Sequence, residues 1–157
     1  MKRVDLLLAG GAVVGLGAVG LALMTQHLMG MQPCAWCVLQ RLIFVAISAA
    51  CLLGLLWRAP VGRRVSAALA GVLALSGVAA ALWQHFVAAS SASCDLSLAE
   101  RIISALGLDE RFPDVFMAMA SCAEAKVRLL GLPYEYWSLT LFVLLAGTAL
   151  LVLRRPR

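Results

Sequence analysis

Cys34-Ala35-Trp36-Cys37-Val38-Leu39-Gln40-Arg41 runs straight into an apolar stretch that ends near Trp57, so two thiols stand at one end of a segment long enough to cross a bilayer. Crossing about 30 Å of hydrocarbon takes about 20 helical residues at about 1.5 Å each. The C-x-x-C spacing lets two sulfurs close a small, readily reduced ring, and a helix N-terminus beside it favours the thiolate. Pro33, just before the pair, predicts that a helix starts there. Cys37 and Arg41 then share one face, one turn apart, which sets a guanidinium beside whatever negative charge the site develops. That arrangement suits electron transfer better than storage of a structural bridge.

The rest of the chain supplies the setting. Its 157 residues are 63% hydrophobic, and a mean hydropathy of +0.96 leaves too little polar surface to cover a soluble domain. Four apolar runs are long enough to span, over about residues 6–24, 38–57, 65–86 and 137–153. They predict an all-α membrane protein, one integral domain over residues 1–157, folded as a four-transmembrane-helix bundle. Two loops lie on the cysteine side, a short one before Cys34 and a long one over about residues 87–135. Lys2 and Arg3 ahead of the first run resemble the start of a signal peptide, but that run is too long for an h-region and lacks a small-x-small cleavage site. It reads as a retained span in contact with the lipid bilayer. Gly11 with Gly15 and Ala67 with Gly71 are small-x-x-x-small pairs suited to close helix packing. Trp57, Trp83, Tyr134, Tyr136 and Trp137 fall near span ends, as an aromatic belt requires.

Charge sets the orientation. Lys2 and Arg3, then Arg58, Arg63 and Arg64, then Arg154, Arg155 and Arg157 flank one side, whereas the long loop holds four basic residues against seven acids. By the positive-inside rule both termini are cytoplasmic and the two loops face the other way. The formal net charge of +5 therefore reports topology and lipid contact, and gives a nucleic-acid reading no support.

On that orientation Cys34, Cys37, Cys94 and Cys122 occupy a compartment where thiols can be oxidised and stay so, while Cys51 sits in mid-span as a small buried hydrophobe. Four cysteines allow three pairings, and a relay uses more than one in turn. Zinc would want a second half-site, which is missing, and Val38 stands where covalent haem needs histidine. The segment 123–132 mixes leucines and valine with Glu124, Lys126 and Arg128, which predicts a short interfacial helix holding Cys122 near the membrane plane. His85, ending the third span, would lie at the depth of Arg41. Dithiol, cation and proton-carrying imidazole at one depth point to a two-electron, two-proton acceptor dissolved in lipid, and a quinone fits.

The sequence resembles the disulfide bond formation protein B family, the inner-membrane thiol:quinone oxidoreductases. The residues that carry the likeness are Gln32-Pro33-Cys34-Ala35-Trp36-Cys37-Val38-Leu39-Gln40-Arg41, His85, Cys94, Pro113-Asp114-Val115-Phe116, Ser121-Cys122-Ala123-Glu124, Leu130-Gly131-Leu132 and Trp137. The resemblance implies four transmembrane helices in the bacterial inner membrane, ubiquinone or menaquinone as acceptor, and a periplasmic thioredoxin-like dithiol oxidase (DsbA-type) as the reduced partner. It further implies that the partner attacks a Cys94–Cys122 disulfide through Cys94. Cys122 then attacks Cys34, and Cys37 is left as a thiolate against the quinone with Arg41 and His85 nearby. Two alternatives stand beside it: a quinone-linked enzyme of the vitamin K epoxide reductase type, and a non-enzymatic membrane protein with structural disulfides.

Overall fold

The computed structural model describes residues 2–88, 97–125 and 128–154. Four long helices, α1 (Lys2–Met29), α2 (Ala35–Leu56), α3 (Pro60–Phe86) and the last one (Tyr134–Arg154), are each long and apolar enough to cross a membrane. Between α3 and that last helix lie α4 (Leu98–Ala105), α5 (Leu108–Arg111), α6 (Pro113–Phe116) and a two-strand hairpin, β1 (Arg128–Leu129) with β2 (Leu132–Pro133). The last span is therefore α7. The all-α four-helix membrane architecture expected from the apolar runs is the one observed.

The spans outrun the apolar windows that revealed them. At 28 residues α1 is about 42 Å long, so its polar ends stand beyond the hydrocarbon or the helix tilts. At its start Asp5 remains helical and pairs with Arg63 of α3 at 2.7 Å, which joins the two helices at the end far from the dithiol. At its other end Gln26 is buried. Pro60 takes the first position of α3, where its missing N–H costs nothing.

Neighbours follow chain order: α1 packs on α2, α2 on α3 and α3 on α7, and a smaller α1–α7 contact closes the ring. The core is dense because small residues recur at helical spacing. Ala67, Ala70, Ala74, Gly77 and Ala81 give α3 a flat buried stripe. A Cβ at Gly77 would overlap the Phe142 ring, which stacks on Phe44 with centroids 4.0 Å apart and planes 7° from parallel. Gly15 likewise brings α1 against Ser48 and the Phe44 carbonyl. The buried Ser48 hydroxyl is satisfied by the carbonyls of Phe44 at 2.9 Å and Ala12 at 3.2 Å. Cys51 packs beside Gly11 in the same α1–α2 contact, as a small apolar residue would. Leu6, Val13, Val72 and Leu144 face outward, as lipid contact demands, with Trp57, Trp83, Tyr136 and Trp137 exposed near span ends.

Much of the long loop is built. Ser97 and Glu100 form a capping box at the start of α4, each side chain holding the other's backbone N–H. The α4 face then buries Ile103, which with Phe116 of α6 covers Val38 near the start of α2. The interfacial helix expected over residues 123–132 is replaced by a turn and the hairpin. Leu130 at φ 55° and Gly131 at φ 85° reverse the chain in the left-handed region, which no helix tolerates. Pro133, besides, lacks the N–H that a helix would use.

Candidate functional site

The dithiol sits at the head of α2. Cys34 is the N-cap rather than a helical residue, and its sulfur accepts from the Cys37 backbone N–H at 3.4 Å. Pro33 thus lies one residue outside the cap, and the helix begins at Ala35. The Cys34 and Cys37 sulfurs are 2.9 Å apart, and Cys34, Cys37 and Cys122 all carry free thiols.

Cys122 is brought to this pair by backbone, not by the helix expected there. The N–H groups of Met119 (2.9 Å) and Ala120 (3.3 Å) both donate to the Pro33 carbonyl, and Ala120 bridges Cys34 as a parallel partner. A second reciprocal box, Ser121 with Glu124, then fixes the turn that carries Cys122. Glu124 accepts from the Ser121 N–H at 3.0 Å and its hydroxyl at 2.7 Å, and those bonds hold its carboxyl below the usual range. The Cys122 sulfur hydrogen-bonds Cys34 and takes the Trp36 backbone N–H in the first turn of α2, which lowers its pKa despite partial burial. The Cys34 thiol is pushed up, first by its bonds to Cys122 and Cys37 and then by burial. In the reduced protein Cys122 is accordingly the readier nucleophile and Cys34 the proton-holding donor. We expect iodoacetamide to label Cys122 at a pH below the ordinary thiol range and Cys34 only well above it. Mass spectrometry of the reduced protein across pH checks this, and equal labelling of the two at each pH would contradict the arrangement.

Cys37 points the other way. Its sulfur accepts from the Gln84 amide at 3.2 Å, and Gln84 in turn accepts from Gln40 at 2.7 Å. Cys37, Gln40, Arg41 and Gln84 line a cavity of about 410 Å3 whose other walls come from α1, from Met31 to Pro33, and from the start of α7. Its lining is mostly apolar, with Phe44, Leu21, Leu129 and Trp137 among the walls. Arg41 is 6% exposed. Its guanidinium donates to Gln26 at 2.7 Å, the Val115 carbonyl at 3.0 Å and the Ala22 carbonyl at 3.4 Å, all neutral acceptors. Among the described residues the side-chain contacts between a carboxyl and a basic group are Asp5 with Arg63 and Glu135 with His85, so this buried cation has dipoles around it but no carboxylate in contact. Such a charge is costly unless it serves an anion.

The structure thus brings together Cys34, Cys37, Cys122 and Arg41. Cys94 lies outside the described residues. His85 does not itself line the cavity. Its Nδ1 bonds Glu135 at 3.1 Å, and Glu135 does line it. Sequence reasoning gave no site role to Gln26, Gln40, Gln84 or Glu135, although polar residues inside or at the ends of apolar runs were the available signal. A cavity of this volume suits a drug-sized organic ligand. Apolar walls, amide donors and one cation fit a planar ring with two carbonyl oxygens.

Comparison with known proteins agrees with this geometry. The family model of disulfide bond formation protein DsbB matches residues 4–152. Proteins named disulfide bond formation protein B are similar along nearly their full length. The one from Aromatoleum aromaticum is 33% identical, covering 90% of this chain and 87% of that one. The one from Ralstonia nicotianae is 35% identical over 93% and 92%, and the one from Pseudomonas syringae pv. tomato 36% over 97% and 89%. With four spans, a thiol pair at the head of the second and a match of this extent, the chain belongs to the DsbB family of disulfide bond formation membrane proteins.

Proposed function

We propose that this membrane protein is a thiol:quinone oxidoreductase of the bacterial inner membrane, with both termini cytoplasmic. It reoxidises a periplasmic thioredoxin-like dithiol oxidase and passes the electrons to ubiquinone or menaquinone. The observation that carries the reading is the shared cavity: the Cys37 sulfur and the buried Arg41 guanidinium face one apolar space while Cys34, its neighbour, meets Cys122 on the other side.

The chemistry follows from those two faces. A partner thiolate attacks the Cys94–Cys122 disulfide at Cys94, the new mixed disulfide forms there, and Cys122 leaves as a thiolate. Cys122, with its lowered pKa, attacks the Cys34 sulfur of the Cys34–Cys37 disulfide, and Cys37 departs as a thiolate facing the cavity. The partner's second thiol releases Cys94 and closes the partner's own disulfide. When the Cys94–Cys122 bond re-forms, Cys34 leaves as the second thiol of the α2 pair. Arg41 stabilises negative charge at Cys37, and Gln84 holds that sulfur's direction. A quinone supplies a sink for two electrons and two protons. The balance is one partner dithiol oxidised to a disulfide for each quinone reduced to quinol, with the protein's four cysteines restored.

Direct measurement tests this. Purified protein in detergent, given reduced partner and a short-chain ubiquinone, should consume about one quinone per partner disulfide formed. Partner oxidation without quinone loss, or no oxidation under argon with quinone in excess, would overturn the reading.

A further inference from the structure

Glu135 is the odd residue in the cavity wall. It stands in the first turn of α7, where an acid suits the helix dipole, but an exposed carboxylate would serve the dipole as well. This one is 9% exposed and turned into an apolar space. Its Oε1 meets His85 Nδ1 at 3.1 Å, and the other ring nitrogen, Nε2, meets the Tyr136 hydroxyl at 3.3 Å. Tyr136 is 41% exposed. These residues form a continuous chain of proton-exchanging groups from the protein surface to the cavity.

The cavity's own chemistry creates the need for such a chain. Among the described residues that line it, the ionisable ones are Cys37, Arg41, Tyr134 and Glu135. Arginine does not give up its proton, a phenol is a weak acid, and Cys37 must lose its own proton to act as the electron-bearing sulfur. Glu135 is left. We propose that Glu135 is the proton donor to the quinone oxygen that is reduced in this cavity, and that it is recharged from water through His85 and Tyr136. The inference rests on the thiol:quinone reading and adds the route of the proton.

The step balances. Two thiols lose two electrons and two protons on becoming the Cys34–Cys37 disulfide, and two electrons with two protons make quinol. At the oxygen facing Glu135, a new O–H bond forms as the Glu135 O–H bond breaks. The Nδ1 proton of His85 passes to Glu135, Nε2 takes the Tyr136 proton, water returns one to the phenol oxygen, and proton exchange with water restores the Nδ1–H form of His85 before the next turnover. The other oxygen takes its proton from water as the quinol leaves the cavity; the two thiols shed two protons to water and water returns two, one of them through Tyr136, His85 and Glu135, so the count closes.

Glu135→Gln is the informative change, because its amide oxygen still accepts from His85 Nδ1 and its size is kept, while proton donation is lost. We expect quinone binding, followed by titration with the oxidised protein, to stay as in the wild type. Turnover should fall on the order of 10²-fold, and Glu135→Asp should recover part of it. Tyr136→Phe should slow turnover less, since the His85 side chain is itself 30% exposed. A second readout does not depend on turnover. Infrared difference spectra between quinone-loaded and quinol-loaded protein should contain a carboxyl band that shifts in D2O and is absent from Glu135→Gln. Wild-type turnover in Glu135→Gln, or a carboxyl band that survives in it, would overturn the proposal while leaving the thiol:quinone reading intact. A wild-type protein that reduces no quinone would bring down both.

Discussion

Cys37→Ser protein should insert normally and lose quinone reduction by at least about 10⁴-fold, the scale seen when an enzyme's covalent nucleophile is removed. The four spans owe nothing to one sulfur: their stability comes from apolar length and close packing around Phe44, Phe142 and the α3 alanines. A serine oxygen could still accept from Gln84, so the local hydrogen bond survives the change. What is lost is redox chemistry, because an alcohol neither ionises at working pH nor closes a bond to Cys34. The electron pair then has no way out of Cys34. The assay is quinone absorbance with reduced partner as donor, alongside a check that the variant still binds detergent and quinone. Residual reduction near the wild-type rate would move the reacting sulfur elsewhere.

Arg41→Met should separate function from stability. Removing a buried cation whose acceptors are all neutral relieves a desolvation cost, so thermal stability in detergent should hold or rise. Its long apolar side chain also refills the space. Quinone KM should rise and turnover fall, together costing about 10- to 100-fold in kcat/KM, the worth of one charge-assisted contact of about 1.5–3 kcal/mol. Arg41→Lys should rescue little. The guanidinium reaches Gln26 and Val115 with one nitrogen and Ala22 with the other, and a single ammonium cannot match that fork. Quinone kinetics unchanged in Arg41→Met would reassign the residue to holding α1 and α6 against α2.

The four spans were legible because a bilayer imposes one dominant constraint, a long apolar helix, and hydropathy measures it directly. Their ends were less so. Gln26 and Glu135 are helical residues that hydropathy discards as boundary, yet their side chains turn inward. The Cys34, Cys37 and Arg41 cluster followed from spacing alone. His85 shows a limit of that method: successive helical residues point about 100° apart, so when Gln84 turns toward Cys37, His85 cannot. Depth was readable, azimuth was not. The approach of Cys122 to Cys34 is long-range backbone pairing through Pro33 and Ala120, for which no local pattern exists. At residues 123–132 the periodicity of leucines outweighed the turn signal in Leu130-Gly131-Leu132-Pro133, and the hairpin shows which was stronger.

Cys34 is 0% exposed, and the segment that leads to Cys122 crosses it through the Ala120 bridge. On the proposed reading this burial acts as electrical insulation. A freely diffusing thiol such as a small peptide reductant meets no surface at which to attack the sulfur, whatever its potential, and so cannot short-circuit the pair by draining electrons into the lipid pool. Current enters only through Cys122, which belongs to the loop that receives the donor. Donor selection is thereby set by steric access before thermodynamics has any say, and one helical turn, from Cys34 to Cys37, separates the water-side circuit from the membrane-side one.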